Sequence, residues 1–269
     1  MRWVIGDIHG MHRMLQALLD AVRQRDREAR FYFVGDYVNR GPESKQVVDL
    51  LLTLENARFV RGNHDEIFDL VINGQCFEPH PDLFAPVQAF VTFLQFGLDT
   101  TLMSYDIDWA MIEQVGIKPN PQAMQKLLEP IPDSHRAFFR SLPVSIKEND
   151  LFIVHAKWDV DTPNTSEELA KVLRQPAGRH QVVWARYQEN EVRRNKPWTR
   201  PGFFGHTPVA TYPARKRDPH EPLAGPKIVL LDTGAALTMQ GRLTAVCADD
   251  RSFIQIDRSL QESDGVLPG

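Results

Sequence analysis

The stretch Phe31-Tyr32-Phe33-Val34-Gly35-Asp36-Tyr37-Val38-Asn39-Arg40-Gly41-Pro42 decides how the chain reads. Four apolar residues run into a glycine and then a carboxylate, the pattern of a buried strand that delivers an acid to the edge of a sheet. Two neighbouring stretches repeat it: Val4-Ile5-Gly6 leads into Asp7-Ile8-His9, and Phe59-Val60-Arg61-Gly62 leads into Asn63-His64. Asp36 follows His9 by 27 residues and precedes Asn63 by 27 more, close to the roughly 30 residues of a strand-helix-strand unit. Three parallel strands spaced in this way line up Asp7, His9, Asp36, Asn63 and His64 along one carboxyl rim, where open α/β sheets carry their sites.

Between these strands the hydrophobic period switches to helical. Met14, Leu15, Leu18, Leu19 and Val22 predict a helix over 12–25; Val47, Val48, Leu50, Leu51 and Leu54 predict a second after Pro42, with Glu43 in its first turn. A third helix is expected from Glu66 to Val71. From 73 to 142 prolines and aromatic runs replace the repeat, so this segment is expected to be a mainly helical insertion over the sheet rim, with Phe90, Phe93 and Phe96 in its core. A hairpin is expected over 144–155, and Thr165-Ser166-Glu167-Glu168 is a capping box. Further strands are expected at 181–184, 203–206, 227–231, 242–247 and 252–256, with a polar loop over 214–225. This succession predicts a second mixed sheet packed on the first. The chain is thus read as α/β, one domain over 1–258 with the 73–142 insertion, and a flexible polar tail over 259–269.

With 269 residues and 42% hydrophobic content, the chain is long enough for a sizeable core. A net charge of −4 lacks the basic excess of a bulk nucleic-acid binder. Neither Cys76 nor Cys247 has metal-site spacing, the first strand starts too early for a signal segment, and no apolar run reaches membrane-span length. A cytoplasmic protein without membrane partners is expected.

Asp7, His9, Asp36, Asn63, His155 and His206 all fall at or just past the ends of apolar strands. Carboxylate, imidazole and amide oxygen together suit Mn²⁺, Fe²⁺ or Zn²⁺ better than Ca²⁺, which prefers oxygen alone. Asp36, on the middle strand, is the candidate bridge between two ions. A pair of cations can clamp both oxygens of an in-line displacement at phosphorus, so phosphoester hydrolysis is the reaction expected. Singly, a strand-end aspartate caps a helix and a buried histidine serves as an ordinary hydrogen-bonding group; six such residues together outweigh those roles. Asp232 and Gly234 read as a structural turn behind the site. The basic residues Arg193, Arg194, Lys196, Arg215, Lys216 and Arg217 are explained equally by anion attraction and by solvated loops.

Gly6-Asp7-Ile8-His9-Gly10, Gly35-Asp36 with Asn39-Arg40-Gly41, Gly62-Asn63-His64-Asp65, His155 and Gly205-His206-Thr207-Pro208 together resemble the calcineurin-like metallophosphoesterases, in the bacterial and phage branch of the phosphoprotein phosphatase family. The resemblance implies two packed mixed β-sheets flanked by helices. It also implies two divalent metal ions, Mn²⁺ first and Fe²⁺ or Zn²⁺ otherwise, with Asp7 and His9 on one, Asn63, His155 and His206 on the other, and Asp36 shared. Arg40 and Arg186 would hold phosphate oxygens, and His64 would protonate the leaving oxygen. Protein phosphatases carry an acid where this chain has Asn39; symmetrical diadenosine tetraphosphatases lack it and read Gly-Asn-His-Asp, as 62–65 do here. The motifs at 205–208 and Trp184-Ala185-Arg186 pull the other way. The expected function is a serine/threonine-type protein phosphatase or general phosphomonoesterase. The alternatives are a hydrolase of dinucleoside polyphosphates like the symmetrical diadenosine tetraphosphatases, and an inactive metal- and phosphate-binding module.

Overall fold

The computed structural model describes residues 1–77, 85–148, 150–213 and 218–262. The chain begins β1 (Arg2–Ile5), α1 (His12–Arg25), β2 (Arg30–Phe33), α2 (Ser44–Leu52), β3 (Ala57–Phe59) and α3 (Asn63–Asn73), the repeat expected from the spacing. The following segment holds helices α4 (Pro86–Phe93), α5 (Asp99–Ser104), α6 (Trp109–Ile117), α7 (Pro121–Leu127) and α8 (Asp133–Ser141), with a π-helical turn at Leu94–Leu98 between the first two. Then come β4 (Ser145–Glu148), β5 (Leu151–Val154), α9 (Ser166–Leu173), α10 (Pro176–Trp184), α11 (Glu189–Arg193) and β6 (Gly202–Phe204). The described chain closes with β7 (Leu223–Ala224), β8 (Ile228–Leu230), β9 (Arg242–Cys247), β10 (Phe253–Asp257) and α12 (Ser259–Glu262).

Two mixed five-stranded sheets result, in the orders β10-β9-β1-β2-β3 and β4-β5-β6-β8-β7. The parallel pairs are β1 with β2, β2 with β3, β5 with β6, and β6 with β8. Side chains alternate across a strand, and the alternation assigns the layers. Val4, Tyr32 and Val246, in register across the first sheet, face the row Ile153, Phe203 and Val229 of the second, and these residues form the buried core between the sheets. Their neighbours Trp3, Ile5, Phe31 and Phe33 point the other way, onto Leu15, Leu18 and Val22 of α1. On the far side Phe152, Val154, Phe204 and Leu230 pack against Trp158, Val182 and Val183. The strands bearing the candidate site are therefore covered on both faces, which leaves their carboxyl ends as the accessible rim.

Some elements depart from the sequence reading. Residues 181–184 are the last turn of α10, not a strand: Pro176 occupies the first helical position, where its missing N–H costs nothing, and the three apolar residues Val182, Val183 and Trp184 make too short a run to overrule that start. Helix α3 starts at Asn63, three residues early, because the Asp65 carboxylate accepts from Gly62 N at 2.8 Å and caps the turn. Glu43 stands at the cap of α2 and not in its first turn. Phe90 and Phe93 are core residues, whereas Phe96 is 46% exposed. A short strand, β7, lies within the expected loop over 214–225, and the Thr165 hydroxyl caps α9 as expected. Positions 78–84, 149, 214–217 and 263–269, with Pro79, Pro81, the second basic run and most of the tail, lie outside the described residues. Among the described residues no helix is long and apolar enough to cross a membrane.

Candidate metal centre and cleft

The rim is built in backbone conformations that side-chain-bearing residues seldom take. His9, Asp36, Asn39, Arg40 and His206 have φ between +49° and +71°, each at a cost of about 1 kcal/mol or more. They occupy the turns just past β1, β2 and β6. One buried carboxylate ties the turn past β2 to the one past β3: Asp65 accepts from Asp36 N (2.8 Å) and Tyr37 N (2.9 Å) as well as from Gly62 N.

Asp36 lies at the middle of the constellation. Its Oδ2 is 3.4 Å from His9 Nε2, and its Oδ1 is 3.5 Å from His155 Nε2, so one carboxylate faces imidazoles from both sheets. Two groups have ligand atoms all within 4.8 Å of one another: His9, Asp36 and His64, and Asp7, Asp36 and His155. Asp36 belongs to both. Asn63 Oδ1 is 3.1 Å from His155 Nε2 and 2.8 Å from His206 Nδ1. All six residues expected at the rim are thus brought together and buried.

The rings are already oriented. His9 Nδ1 donates to Val38 O (2.9 Å), His155 Nδ1 to Val34 O (2.7 Å) and His206 Nε2 to Trp184 O (2.9 Å). A carbonyl oxygen only accepts, so the engaged nitrogen bears the hydrogen and the inward nitrogen keeps its lone pair. Burial and neighbouring positive groups push His9, His64 and His206 well below the usual imidazole range, and burial brings His155 down to about 4. Burial and the nearby Asp232 and Asp36 charges raise Asp7 well above the carboxylate range, and burial takes Asp36 to about 7. Neutral imidazole lone pairs and crowded carboxylates make a donor set short of positive charge. Asp7 Oδ1 is buried without a hydrogen-bond partner, although its Oδ2 accepts from His206 N at 2.8 Å. These residues fit a pair of divalent ions. The site also leaves no room for a larger residue at Gly205, whose Cβ would come within 1.8 Å of Asp7 Oδ1.

Above the centre lies a cleft of about 590 Å³. Arg40 and Arg186 lie on its floor, and Phe93, Phe96, Gln95 and Trp184 form its walls. The Arg40 guanidinium spans His9 Nε2 (2.9 Å) and His64 Nε2 (3.2 Å). Arg186 Nη1 donates to His206 O at 3.4 Å. Asn39 Nδ2 lies 2.9 Å from His64 Nδ1, so an amide backs this ring where a carboxylate was the alternative. Asp65, engaged by three backbone amides, does not fill that place.

Sequence reasoning missed three participants. Asp232 is buried, not merely a turn, and its charge acts on Asp7 and Asp36; its position after a strand, β8, was the available signal. Phe96 opens onto the cleft instead of the core. Thr101 of α5 hydrogen-bonds Asn39 from 62 positions away, and no spacing announces such a contact.

Comparison with known proteins gives the same direction. A protein of Coxiella burnetii named symmetrical bis(5'-nucleosyl)-tetraphosphatase is 44% identical over 63 residues, 23% of this chain and 22% of its own length. Its counterpart in Nitrosomonas europaea is 33% identical over 114 residues, 42% and 39% of the two chains, so the alignments span less than half of these relatives. A putative diadenosine tetraphosphatase of known structure superposes with a TM-score of 0.51 at 20% identity, over 95% of this chain and 92% of its own. A metallophosphoesterase from Sphaerobacter thermophilus does so at 0.51 and 17%, over 99% and 94%. At those identities the likeness is one of fold. The family model for calcineurin-like phosphoesterases matches residues 2–209. Because that match runs through every strand-end group from Asp7 to His206, the chain belongs to the calcineurin-like phosphoesterases.

Proposed function

We propose that the chain hydrolyses phosphoanhydrides and activated phosphoesters, with dinucleoside polyphosphates as the first substrate class, using a pair of divalent ions of which Mn²⁺ is the first choice. The observation that carries this reading is the 2.9 Å contact between Asn39 Nδ2 and His64 Nδ1. An amide orients an imidazole but adds no negative charge to stabilise its protonated form, in contrast to a carboxylate partner. A serine alkoxide needs a proton to leave, and such general-acid assistance is worth about 10²–10⁴-fold; a nucleotide phosphate leaves with little help.

Asp7, His9 and Asp36 would hold one ion, and Asn63, His155 and His206 with Asp36 the other. When bound, the ions supply positive charge that polarises the phosphoryl group and makes water more acidic. Arg40 and Arg186 bind the phosphate oxygens through their planar donor forks. His64 gives the Nε2 proton to the leaving oxygen as the P–O bond breaks, and Asn39 holds the ring through Nδ1. Phe93, Phe96 and Trp184 exclude water from the leaving-group side of the cleft and offer ring faces to a base.

The expected protein-phosphatase activity remains the second reading, because Trp184 and Arg186 border the cleft beside Arg40, as its motifs require. Initial rates with Mn²⁺ on diadenosine tetraphosphate, p-nitrophenyl phosphate and a phosphoserine peptide separate the readings. A kcat/KM highest for diadenosine tetraphosphate supports the first; a phosphopeptide turned over fastest overturns it.

A further inference from the structure

Asn39 is itself held from behind, by a residue of the 73–142 segment. Thr101 is fully buried in α5, and its Oγ1 accepts from Asn39 N at 2.8 Å while standing 3.0 Å from Asn39 Oδ1. On its other side lies the fully buried Ser44 Oγ, 2.9 Å away, where either hydroxyl can donate. A hydroxyl has one proton and two lone pairs. One lone pair of Thr101 takes the Asn39 backbone N–H. The remaining lone pair and the proton are shared between the Asn39 amide and Ser44, and they can be exchanged: Thr101 donates to Oδ1 and accepts from Ser44, or accepts from Nδ2 and donates to Ser44. The pair therefore satisfies either end of the amide at the same positions.

We propose that Thr101, with Ser44 behind it, is a positioning residue for the hydrolytic step, acting through Asn39 on His64. His64 can give up the Nε2 proton only while Nδ1 keeps its own, since a ring that lost both would be an anion. During the step Asn39 must then present Oδ1 to Nδ1–H. Its Nδ2 turns to Thr101, which accepts a hydrogen bond from it and, keeping its proton, donates one to Ser44 Oγ. The electron pair of the breaking P–O bond stays on the leaving oxygen, which takes the Nε2 proton, and the ring ends neutral. The helical segment thereby supplies part of the acid machinery. The same segment braces the adjacent residue, because Arg40 N donates to Gly97 O at 3.2 Å, and a Cβ on Gly97 would lie 2.2 Å from that nitrogen.

The inference rests on the reading of His64 as proton donor, and the test separates the two. The Mn²⁺-loaded enzyme is assayed on p-nitrophenyl phosphate and on phenyl phosphate, whose leaving group needs the proton more. His64→Asn reports on the donor itself, Thr101→Val removes the relay hydroxyl at constant shape, and Ser44→Ala strips Thr101 of its acceptor, which forces the Thr101 proton onto Oδ1. Expected are kcat losses of about tenfold or more on phenyl phosphate, and about twofold or less on the nitrophenyl ester, in all three. Thr101→Ser should restore the phenyl rate. Ser104→Ala, which disturbs α5 without touching Asn39, should leave the ratio of the two rates unchanged. Equal losses on both esters in His64→Asn overturn the donor reading and the relay with it. A selective loss in His64→Asn but equal or no losses in Ser44→Ala and Thr101→Val overturn the relay alone. Ser44→Ala decides the matter if Thr101→Val does not fold.

Discussion

Asn39 sits on a strained turn at φ +71°, and a single substitution there separates orientation from charge. Asn39→Asp keeps the contact with His64 Nδ1 and adds a negative charge that stabilises the protonated ring. Turnover of alkyl phosphates should rise about tenfold with p-nitrophenyl phosphate nearly unchanged; equal changes for both would show that this position does not govern proton delivery. Arg40→Ala should lower kcat/KM about 10²-fold in the metal-loaded enzyme at an unchanged melting temperature, because its guanidinium meets the two ring nitrogens at the cleft floor and its backbone contact to Gly97 survives. An early melt with full activity would make Arg40 a structural residue instead. The rim residues could be read from the sequence because each ends a strand, where a buried apolar run gives way to an isolated polar group. Thr101 and Phe96 could not, since their roles depend on how a non-repeating helical segment folds back over the rim.

Among elements, the strand-helix repeat was readable wherever an apolar stripe ran for two turns or more, as in α1, whose Met14, Leu15, Leu18, Leu19 and Val22 are all buried as expected. It failed at α10, where three apolar residues suit strand and helix equally and a proline at the start decided between them. The link between the first sheet and the helical segment was hidden for a different reason: Arg61 looks like a surface residue but is 4% exposed. It pairs with Glu66 and Asp69 (2.8 Å to the latter) and donates to Phe139 O at 2.6 Å, so it fastens the loop after β3 to α3 and α8. Arg61→Ala would strand two buried carboxylates, a loss of about 3–5 kcal/mol. Urea unfolding should show a free energy of unfolding lowered by that amount and a correspondingly lower midpoint, with kcat per folded molecule unchanged because Arg61 lies off the cleft; an unshifted midpoint would mean that water replaces the guanidinium at no cost.

For the whole molecule, the centre draws Asp7, His9 and Asp36 from the first sheet and His155 and His206 from the second, above the apolar core that both sheets share. The two-sheet stack was evident from the succession of strands, but the electrostatic cost of that rim was not, because it arises only once folding gathers the carboxylates and excludes water. Cations bound there would offset this cost, and so would act on stability as well as on turnover. Exhaustive chelation should abolish hydrolysis and lower the melting temperature, and Mn²⁺ restored to about 100 times its dissociation constant should return both, with about 2.7 kcal/mol of stabilisation. The sign of the pH effect follows from Asp36. Burial holds its metal-free carboxyl at about 7, well above an unfolded carboxylate, and a metal binds only the ionised form. As pH falls below 7 the ion must displace that proton, so the metal concentration at half-activation should climb by about tenfold per pH unit; above 7 this contribution levels off. Titration of the metal-free protein with Mn²⁺ at pH 6, 7 and 8, followed by melting temperature and by rate, measures the dependence. Full activity after verified metal removal would end the two-ion account, and half-activation independent of pH across that range would place the bridging charge on a group other than Asp36.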